Sequence, residues 1–114
     1  MIRINSRKAC NAAAANFVHS IDAAHLQMVA IAAAAENIAM VSVHDSFGCL
    51  APHAQRFNEI IREQFVRLHT QHDLLGAVLE SARRTLPRGV ELPALPEKGT
   101  LDPGQVLSSF FAFA

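Results

Sequence analysis

Apolar positions run almost without interruption through the first long stretch of the chain and predict a helix over residues 16–36. Ser20 or Asp22 is a residue type that commonly caps the beginning of a helix. From Ile21 onward apolar side chains occur on every side, and a helix that is apolar all round is buried all round. Many of them are Ala, so we expect close packing against a sheet or another polypeptide.

Two later helices each carry a single apolar stripe. The first begins at Pro52, where a missing N–H is harmless, and runs to about His69. The second spans residues 71–84 and is expected to pack antiparallel to the first. The inward positions are Phe57, Ile60, Ile61, Phe65 and Leu68 in the first helix and Leu74, Leu75, Val78, Leu79 and Ala82 in the second. The expected solvated face consists of Arg56, Glu59, Arg62, Glu63 and Arg67, with Glu63 and Arg67 in the favourable i, i+4 order.

A strand-like stretch lies between the long helix and the next one. Residues 40–43 are apolar and β-prone, and they run directly into His44 and Asp45. Asp and Gly48 favour a tight turn, because Asp bonds its own backbone and Gly tolerates positive φ. A second apolar piece follows at residues 49–51. The pattern predicts a β-hairpin with the Asp45 carboxylate at its tip, backed by a strand too apolar to lie in water. Such a carboxylate most often serves a cation.

Spacing alone also allows a structural role for the polar residues. Asp45 in a turn commonly bonds the local backbone. His19, Asp22 and His25 share a helix face and would suit a metal, although their spacing favours capping and an exposed first turn.

A second group, His69-x-x-His72 beside Asp73, has the same two interpretations. Its residues are of types that bind metal, but such a pair more often marks a helix end that meets an interhelical turn.

The two ends of the chain lack a strong periodicity. Residues 1–5 alternate and predict a short strand, and residues 6–15 predict a connector that is at most weakly helical. Residues 86–104 are rich in Pro and Gly and predict an extended segment. Asp102 and Pro103 then suit an N-cap and first helical position. The following apolar face is Val106, Leu107 and Phe110, and the terminal Phe-Phe-Ala-Phe-Ala needs a pocket in this chain or in a larger body.

Composition limits the possible classes. The 114 residues suffice for one small domain, and 51% hydrophobic content argues against disorder. Ten basic and ten acidic residues cancel, which argues against a free-standing nucleic-acid binder but not against a piece of a larger nucleic-acid enzyme. Cys10 and Cys49 do not suggest a disulfide framework, so we expect a reducing compartment. The apolar run at residues 28–35 is shorter than a membrane span, and the first residues do not resemble a signal peptide.

Three separated stretches resemble the single-subunit, bacteriophage-type DNA-directed RNA polymerases, a family that includes the mitochondrial enzymes. Residues 16–26, NFVHSIDAAHL, are similar to the segment before the last palm motif of that family. Residues 43–48, VHDSFG, resemble its catalytic hairpin. Residues 92–102, LPALPEKGTLD, with the final FAFA, are similar to its C-terminal end. Order and approximate spacing also match over nearly all of residues 16–114.

The resemblance implies specific roles. Asp45 would be a catalytic residue and one of two aspartates that hold two Mg²⁺ ions for nucleotidyl transfer. His44 would be the second catalytic residue and would order the turn or the RNA 3′ end. His19 and Ser20 would contact the primer–template. The C-terminal foot of the family falls on Phe111, Phe113 and Ala114.

The resemblance also implies that parts of the enzyme are missing from this segment. The other metal aspartate and the nucleotide-binding helix with its Arg, Lys and Tyr lie upstream in the family, and this chain has no Tyr. We therefore expect an inactive C-terminal fragment, because one carboxylate cannot hold two metals. The expected partners are the DNA template, the RNA product, nucleoside triphosphates and the rest of the polymerase chain, with no membrane. The expected location is the cytoplasm of a phage-infected or prophage-bearing bacterium, with the mitochondrial matrix as the alternative.

These observations predict an α+β fold, mostly helical, with a palm-type β-hairpin flanked by helices as the C-terminal piece of a polymerase right-hand fold. Residues 1–114 would form one partial domain, with an extended Pro-rich segment at 85–104 and the foot at 105–114. A two-stranded hairpin is marginal by itself, so we expect the isolated chain to be poorly stable or oligomeric.

Two other functions remain open from the sequence. A His-Asp metal phosphohydrolase would use His19 or His25, the pair His44 and Asp45, and Asp73, but those enzymes carry the pair on a helix. A non-catalytic helical interaction module would instead dock its apolar helix and aromatic tail on a larger partner.

Overall fold

A computed structural model describes residues 5–87 and 89–113 of the chain. Three helices and one antiparallel hairpin make up the regular structure of these residues, which confirms the predicted mostly helical α+β class. Most of the strand predicted over residues 1–5 lies outside the described residues. The elements are α1 (Ser6–Ala35), β1 (Met40–Val43), β2 (Ser46–Cys49), α2 (Ala54–Gln71) and α3 (Leu74–Thr85), with short 3₁₀ helices at Ala51–His53 and Pro103–Ser108.

Helix α1 begins ten residues before the predicted start. The prediction of an at most weakly helical connector over residues 6–15 is therefore wrong. The true N-cap is Asn5, whose Oδ1 accepts a hydrogen bond from the backbone N–H of Lys8 at 3.1 Å. Ser20 and Asp22 lie inside the helix and cap nothing, and the Ser20 hydroxyl donates back to the carbonyl of Asn16. The four consecutive Ala after the polar lead favour this extension, because Ala has the highest helix propensity.

Helix α1 ends in a turn that directs the chain into the hairpin. Asn37 has a φ of 57°, in the left-handed region. Its N–H donates to the carbonyl of Ala34 at 3.1 Å, and the N–H of Ile38 donates to Ala33 at 2.9 Å. This is the bond pattern of a Schellman motif, and its two apolar ends, Ala33 and Ile38, are both buried.

Only one stripe of α1 is buried in this chain. His25, Val29 and Ala33 lie four residues apart and form that stripe. Val18 and Ile31, by contrast, are 54% and 72% exposed. The prediction of burial on every side is therefore wrong within the described residues, and most of the apolar surface of α1 has no cover here.

The length of α1 also changes the membrane argument. It is 30 residues long and contains an 18-residue window with a mean hydropathy of 1.2, so it meets the length and composition of a membrane-crossing helix, which the shorter run at residues 28–35 does not. A core helix of a soluble protein has the same properties, so this finding alone does not place the chain in a membrane.

The core lies where α1 meets α2 and the hairpin. Four of the five predicted stripe residues of α2 are buried and Phe65 is partly buried, which confirms that prediction. No residue of α3 is buried. Leu75 and Val78, two of the positions predicted to point inward from this helix, are 45% and 50% exposed, so the prediction is wrong for them in this chain. The core cluster is Val29, Ala33, Ile38, Phe57, Ile60 and Ile61.

The predicted solvated face of α2 is an ion-pair network centred on Arg56. Its guanidinium donates two hydrogen bonds to Glu36 at the end of α1, at 2.9 and 2.6 Å, and contacts Glu59 and Glu63 on its own helix. Glu63 therefore pairs with Arg56 and not with Arg67, which instead donates to Gln71. The Arg56 hydrogen bonds lower the pKa of Glu36 and, together with those to Glu63 and Glu59, raise the pKa of Arg56.

Replacing Arg56 with Ala should loosen the junction between α1 and α2 in a pH-dependent way. Because the folded pKa of Glu36 is depressed, its ion pair contributes stability above the unfolded carboxyl pKa and loses that contribution as pH falls through the lower folded value. At pH 7 we expect faster amide hydrogen exchange over residues 36–38 in Arg56→Ala than in the unsubstituted chain. At pH 3 the two should converge.

Arg83→Ala is the control for this measurement, because Arg83 makes only a long 3.7 Å pair with Glu80 on an exposed part of α3. An Arg56→Ala difference that persists unchanged at pH 3 would contradict the ion-pair explanation.

Candidate functional site

His44 and Asp45 are the two central residues of the hairpin turn. Val43 pairs with Ser46, so the turn between the strands contains only these two residues. His44 has a φ of 55°, in the left-handed region that two-residue hairpin turns require at their first position. A non-Gly residue held there is strained, and such strain concentrates at functional sites. The predicted hairpin with Asp45 at its tip is confirmed.

The hairpin is less buried than the sequence suggests. Val41 and Val43 are 62% and 64% exposed, so the strand before Asp45 does lie at the surface of this chain. Gly48 does not supply a positive φ; a Cβ there would lie 3.0 Å from the Val41 side chain, so Gly48 permits close strand packing. The turn is supported on one side only, where Phe47 packs against the core.

The carboxylate of Asp45 is exposed and makes no hydrogen bond or ion pair to the residues that the structure describes. The local backbone bond of a purely structural turn Asp is thus not formed. Asp73 and Asp102 do form such bonds, to the N–H groups of Gly76 and Gly104. Among the described residues, Asp45 and Asp22 are the aspartates that form no such bond, so both keep their oxygens available for a ligand.

An open cleft of about 800 Å³ separates the hairpin tip from the middle of α1. Six of its lining residues are ones that the sequence singles out, namely His19, Asp22, His25, His44, Asp45 and Phe113. The remaining lining residues are Ala23, Leu26 and Phe47.

The other predicted site residues lie elsewhere. Ser20 is exposed and does not line this cleft. Phe111 is 88% exposed, and Ala114 lies outside the described residues.

The C-terminal segment, residues 103–113, folds back onto α2. The predicted cap is confirmed, since Asp102 Oδ1 accepts from the Gly104 N–H at 2.8 Å. Arg62 Nη1 donates to the carbonyl of Ser109 at 2.5 Å. Arg62 is therefore not part of a solvated face, and it fixes the C-terminal segment in place.

Phe113 is the one residue of the terminal aromatic sequence that finds a pocket among the described residues. Asn58 Nδ2 donates to its carbonyl at 2.8 Å, and its ring lies 5.4 Å from that of Phe65. The backbone of Phe113 is left-handed, with a φ of 56°. Phe110 and Phe111 remain about nine-tenths exposed, so the predicted apolar face with Phe110 is wrong for this chain.

The sequence does not indicate the contacts that three residues of this region make. His25 was considered only as a metal ligand or a first-turn residue, but its Nε2 lies 2.9 Å from the carbonyl of Ile61 on α2. Asn58 and Arg62 had no signal beyond a polar position on a helix. All three depend on contacts with residues 36 to 55 positions away, which local periodicity does not report.

The described residues do not contain a complete metal site. No group of three or more His, Cys, Asp or Glu side chains converges among residues 5–87 and 89–113. The His69 group serves local structure: His69 Nδ1 lies 3.0 Å from the Phe65 carbonyl, and Asp73 caps α3. Asp45 fits the part of a single carboxylate ligand, and the other ligands of a cation would have to come from outside these residues.

The family model described as DNA-dependent RNA polymerase matches residues 1–90 of this chain. The mitochondrial DNA-directed RNA polymerase 1 of Arabidopsis thaliana is 36% identical over 111 residues, which cover 97% of this chain and 11% of that protein. DNA-directed RNA polymerase 1A of Nicotiana tabacum is 39% identical over 98 residues, 86% of this chain and 62% of that protein. The mitochondrial DNA-directed RNA polymerase of Mus musculus is 35% identical over 127 residues, 96% of this chain and 10% of that protein.

No solved structure matches the chain. The chain spans about a tenth of the length of the Arabidopsis and mouse relatives. The family model nevertheless covers well over half of its residues, and the relatives match it almost from end to end. The chain therefore belongs to the phage-type, single-subunit family of DNA-dependent RNA polymerases.

Proposed function

We propose that this chain is the C-terminal palm segment of a phage-type DNA-directed RNA polymerase and supplies Asp45 for template-directed nucleotidyl transfer. The observation that carries the proposal is the free carboxylate of Asp45, held at a strained two-residue turn that faces an open cleft. Membership of the family and the similarity of nearly the whole chain to polymerases support the reaction class.

Two Mg²⁺ ions, when bound, activate the RNA 3′-hydroxyl and stabilise the negative charge of the leaving pyrophosphate. Asp45 provides one carboxylate toward them, and a second carboxylate from elsewhere in the polymerase completes the site. His44 fixes the turn and faces the same cleft as Asp45. In this proposal His19, which lines the cleft, contacts the primer–template, with Ser20 beside it on the exposed side of α1.

The C-terminal segment forms the foot beside this cleft. Phe113 lines the cleft and is anchored by Asn58. Phe111 is exposed and is left to contact the rest of the polymerase. The resemblance assigns Ala114 to the same foot. The partners are that remaining chain, the DNA template, the RNA product and nucleoside triphosphates. One carboxylate does not hold two hard cations, so the 114 residues by themselves are inactive.

The names of the relatives bear on location. The three relatives above include two mitochondrial enzymes, and a further relative from Nicotiana sylvestris is chloroplastic. These names do not support the cytoplasm of a phage-infected host, which was the first expectation. We propose the mitochondrial matrix, the alternative drawn from the resemblance.

The test is a hybrid polymerase in which these 114 residues replace the matching segment of the Arabidopsis mitochondrial enzyme. We expect it to incorporate labelled nucleotides on a DNA template at least about a hundredfold faster than the same enzyme with the segment deleted, because only the hybrid regains the carboxylate. A soluble, folded hybrid that is no faster than the deleted enzyme would overturn the proposal.

A non-catalytic interaction module is the second candidate, and the exposed apolar residues of α1 and β1 favour it. Val18, Ile31, Val41 and Val43 are all more than half exposed. The His-Asp phosphohydrolase is disfavoured, because the pair lies in a hairpin turn and not on a helix. In the hybrid, a module would restore assembly of the polymerase but would tolerate the loss of Asp45.

A further inference from the structure

His25 is the one buried polar residue among the described part of the chain, at 7% exposure. Its Nε2 lies 2.9 Å from the carbonyl oxygen of Ile61. Because a carbonyl only accepts, Nε2 carries a proton and donates it. The imidazole of α1 is thereby fixed in orientation against the backbone of α2.

Three phenylalanine rings from three different parts of the chain surround this imidazole. Phe47 of β2 lies at 5.9 Å between ring centroids, Phe65 of α2 at 5.7 Å and Phe113 of the C-terminal segment at 5.5 Å. The rings of Phe47 and Phe65 meet it nearly edge to face, at 71° and 79°, which is a favoured aromatic geometry. We name His25, Phe47, Phe65 and Phe113 the aromatic junction.

The aromatic junction lies directly behind the hairpin tip. Phe47 follows Asp45 by two residues on a four-residue strand, so a displacement of its ring is transmitted to the turn. Phe113 lines the same cleft as Asp45. Phe47 of the second strand and Phe113 of the C-terminal segment thus both pack on the imidazole of His25.

We propose that His25 is a positioning residue for the polymerase reaction: its imidazole, bonded to α2, sets the distance between the Asp45 hairpin and the C-terminal segment. This inference rests on the proposed function. His25 itself does not contact the reacting atoms, and it acts through Phe47 and Phe113.

Variants of His25 should separate the effect of its ring from the effect of its N–H donor. In the hybrid polymerase, His25→Ala removes the ring and should lower kcat by about 10²-fold with little change in the KM for nucleotide, because a small displacement of a catalytic group is costly. His25→Gln keeps an N–H donor but no ring and should behave like Ala. His25→Phe keeps a ring but loses the N–H that His25 donates to the Ile61 carbonyl, so its kcat should lie between those of His25→Ala and the unsubstituted hybrid.

A double-variant cycle tests the route of the effect. If His25 acts through Phe113, then His25→Ala combined with Phe113→Ala should lower kcat no more than about threefold below the worse single variant. Val29→Ala is the matched control, since Val29 is fully buried on the same stripe of α1 but belongs to the core cluster and not to the junction. It should lower the melting temperature while leaving kcat at 25 °C unchanged.

The outcomes distinguish the two proposals. Equal loss of kcat in His25→Ala and Val29→Ala, or fully additive losses in the double variant, would overturn the positioning role. Unchanged activity in His25→Ala, when Asp45→Ala is inactive, would overturn it while leaving the proposed function intact. Unchanged activity in Asp45→Ala would overturn the proposed function itself.

Discussion

Replacing Asp45 with Asn or Ala in the hybrid polymerase is expected to lower the rate of nucleotide incorporation by roughly three orders of magnitude. Asn preserves the size of the side chain and its place in the turn but removes the negative charge that a divalent cation requires. The Asp45 carboxylate forms no bond within the described residues, so its loss should not unfold the hairpin. The measurement is single-turnover extension of an RNA primer on a DNA template.

Asp73→Asn is the matched control for this change of charge. Asp73 is an exposed helix cap that accepts from the Gly76 N–H at 3.2 Å, and Asn caps helices as well as Asp does. This control should extend the primer at the unsubstituted rate. Extension by Asp45→Asn within about threefold of the unsubstituted hybrid would show that the carboxylate is not a metal ligand, because a lost ligand charge costs far more.

The isolated 114-residue chain is expected to self-associate or to melt without a sharp monomeric transition. Its accessible surface is 9310 Å², whereas a compact monomer of 12.4 kDa exposes about 6,100 Å². Its radius of gyration of 17.9 Å likewise exceeds the value of about 13 Å for a compact domain of this length. Large apolar side chains on α1, the hairpin and the C-terminal segment are among the exposed ones.

Sedimentation velocity and calorimetry at several concentrations check this prediction. Val41→Thr with Val43→Thr removes two exposed apolar side chains from the hairpin and should reduce the association of the chain. Ala13→Ser, on an exposed part of α1, is a control that should not. A cooperative transition that is independent of concentration, from a species of 12.4 kDa, would contradict the prediction.

The hairpin and the stripe of α2 could be predicted because their signals are local. Strand propensity over residues 40–43, followed by turn residues, indicates the hairpin, although its second strand is Ser46–Cys49 and not the apolar piece at residues 49–51. The apolar spacing from Phe57 to Leu68 defines the face of α2 that meets α1. In both cases the sequence pattern lies within the same short stretch as the element that it predicts.

The start of α1 and its burial could not be predicted in the same way. The polar lead before Asn16 resembled a connector, but Ala propensity and the Asn5 cap extend the helix through it. The apolar composition of α1 predicted burial on every side of the helix. Composition, however, indicates only that a side chain avoids water. It does not say which polypeptide covers it, and Ile31 is uncovered here.

The residues of the candidate site also divide into those that local sequence predicts and those that it does not. The tip position of Asp45 follows from adjacent residues, so it could be predicted. The contacts of His25, Asn58 and Arg62 join residues far apart in sequence, and nothing near them announces their partners. The resemblance to polymerases identified four residues that line the cleft, but it also assigned site roles to Ser20 and Phe111, which do not line it.

The extended stretch between α3 and Pro103 has a practical consequence. Both of its ends are fixed independently, by helix α3 and by the Asp102 cap with the Arg62 contact to Ser109, and nearly every described residue between them is exposed. Lengthening such a loop costs little free energy, since the closure entropy grows only logarithmically. A fluorophore or affinity tag inserted near Gly99 should therefore leave helix α3 and the Asp102 cap in place.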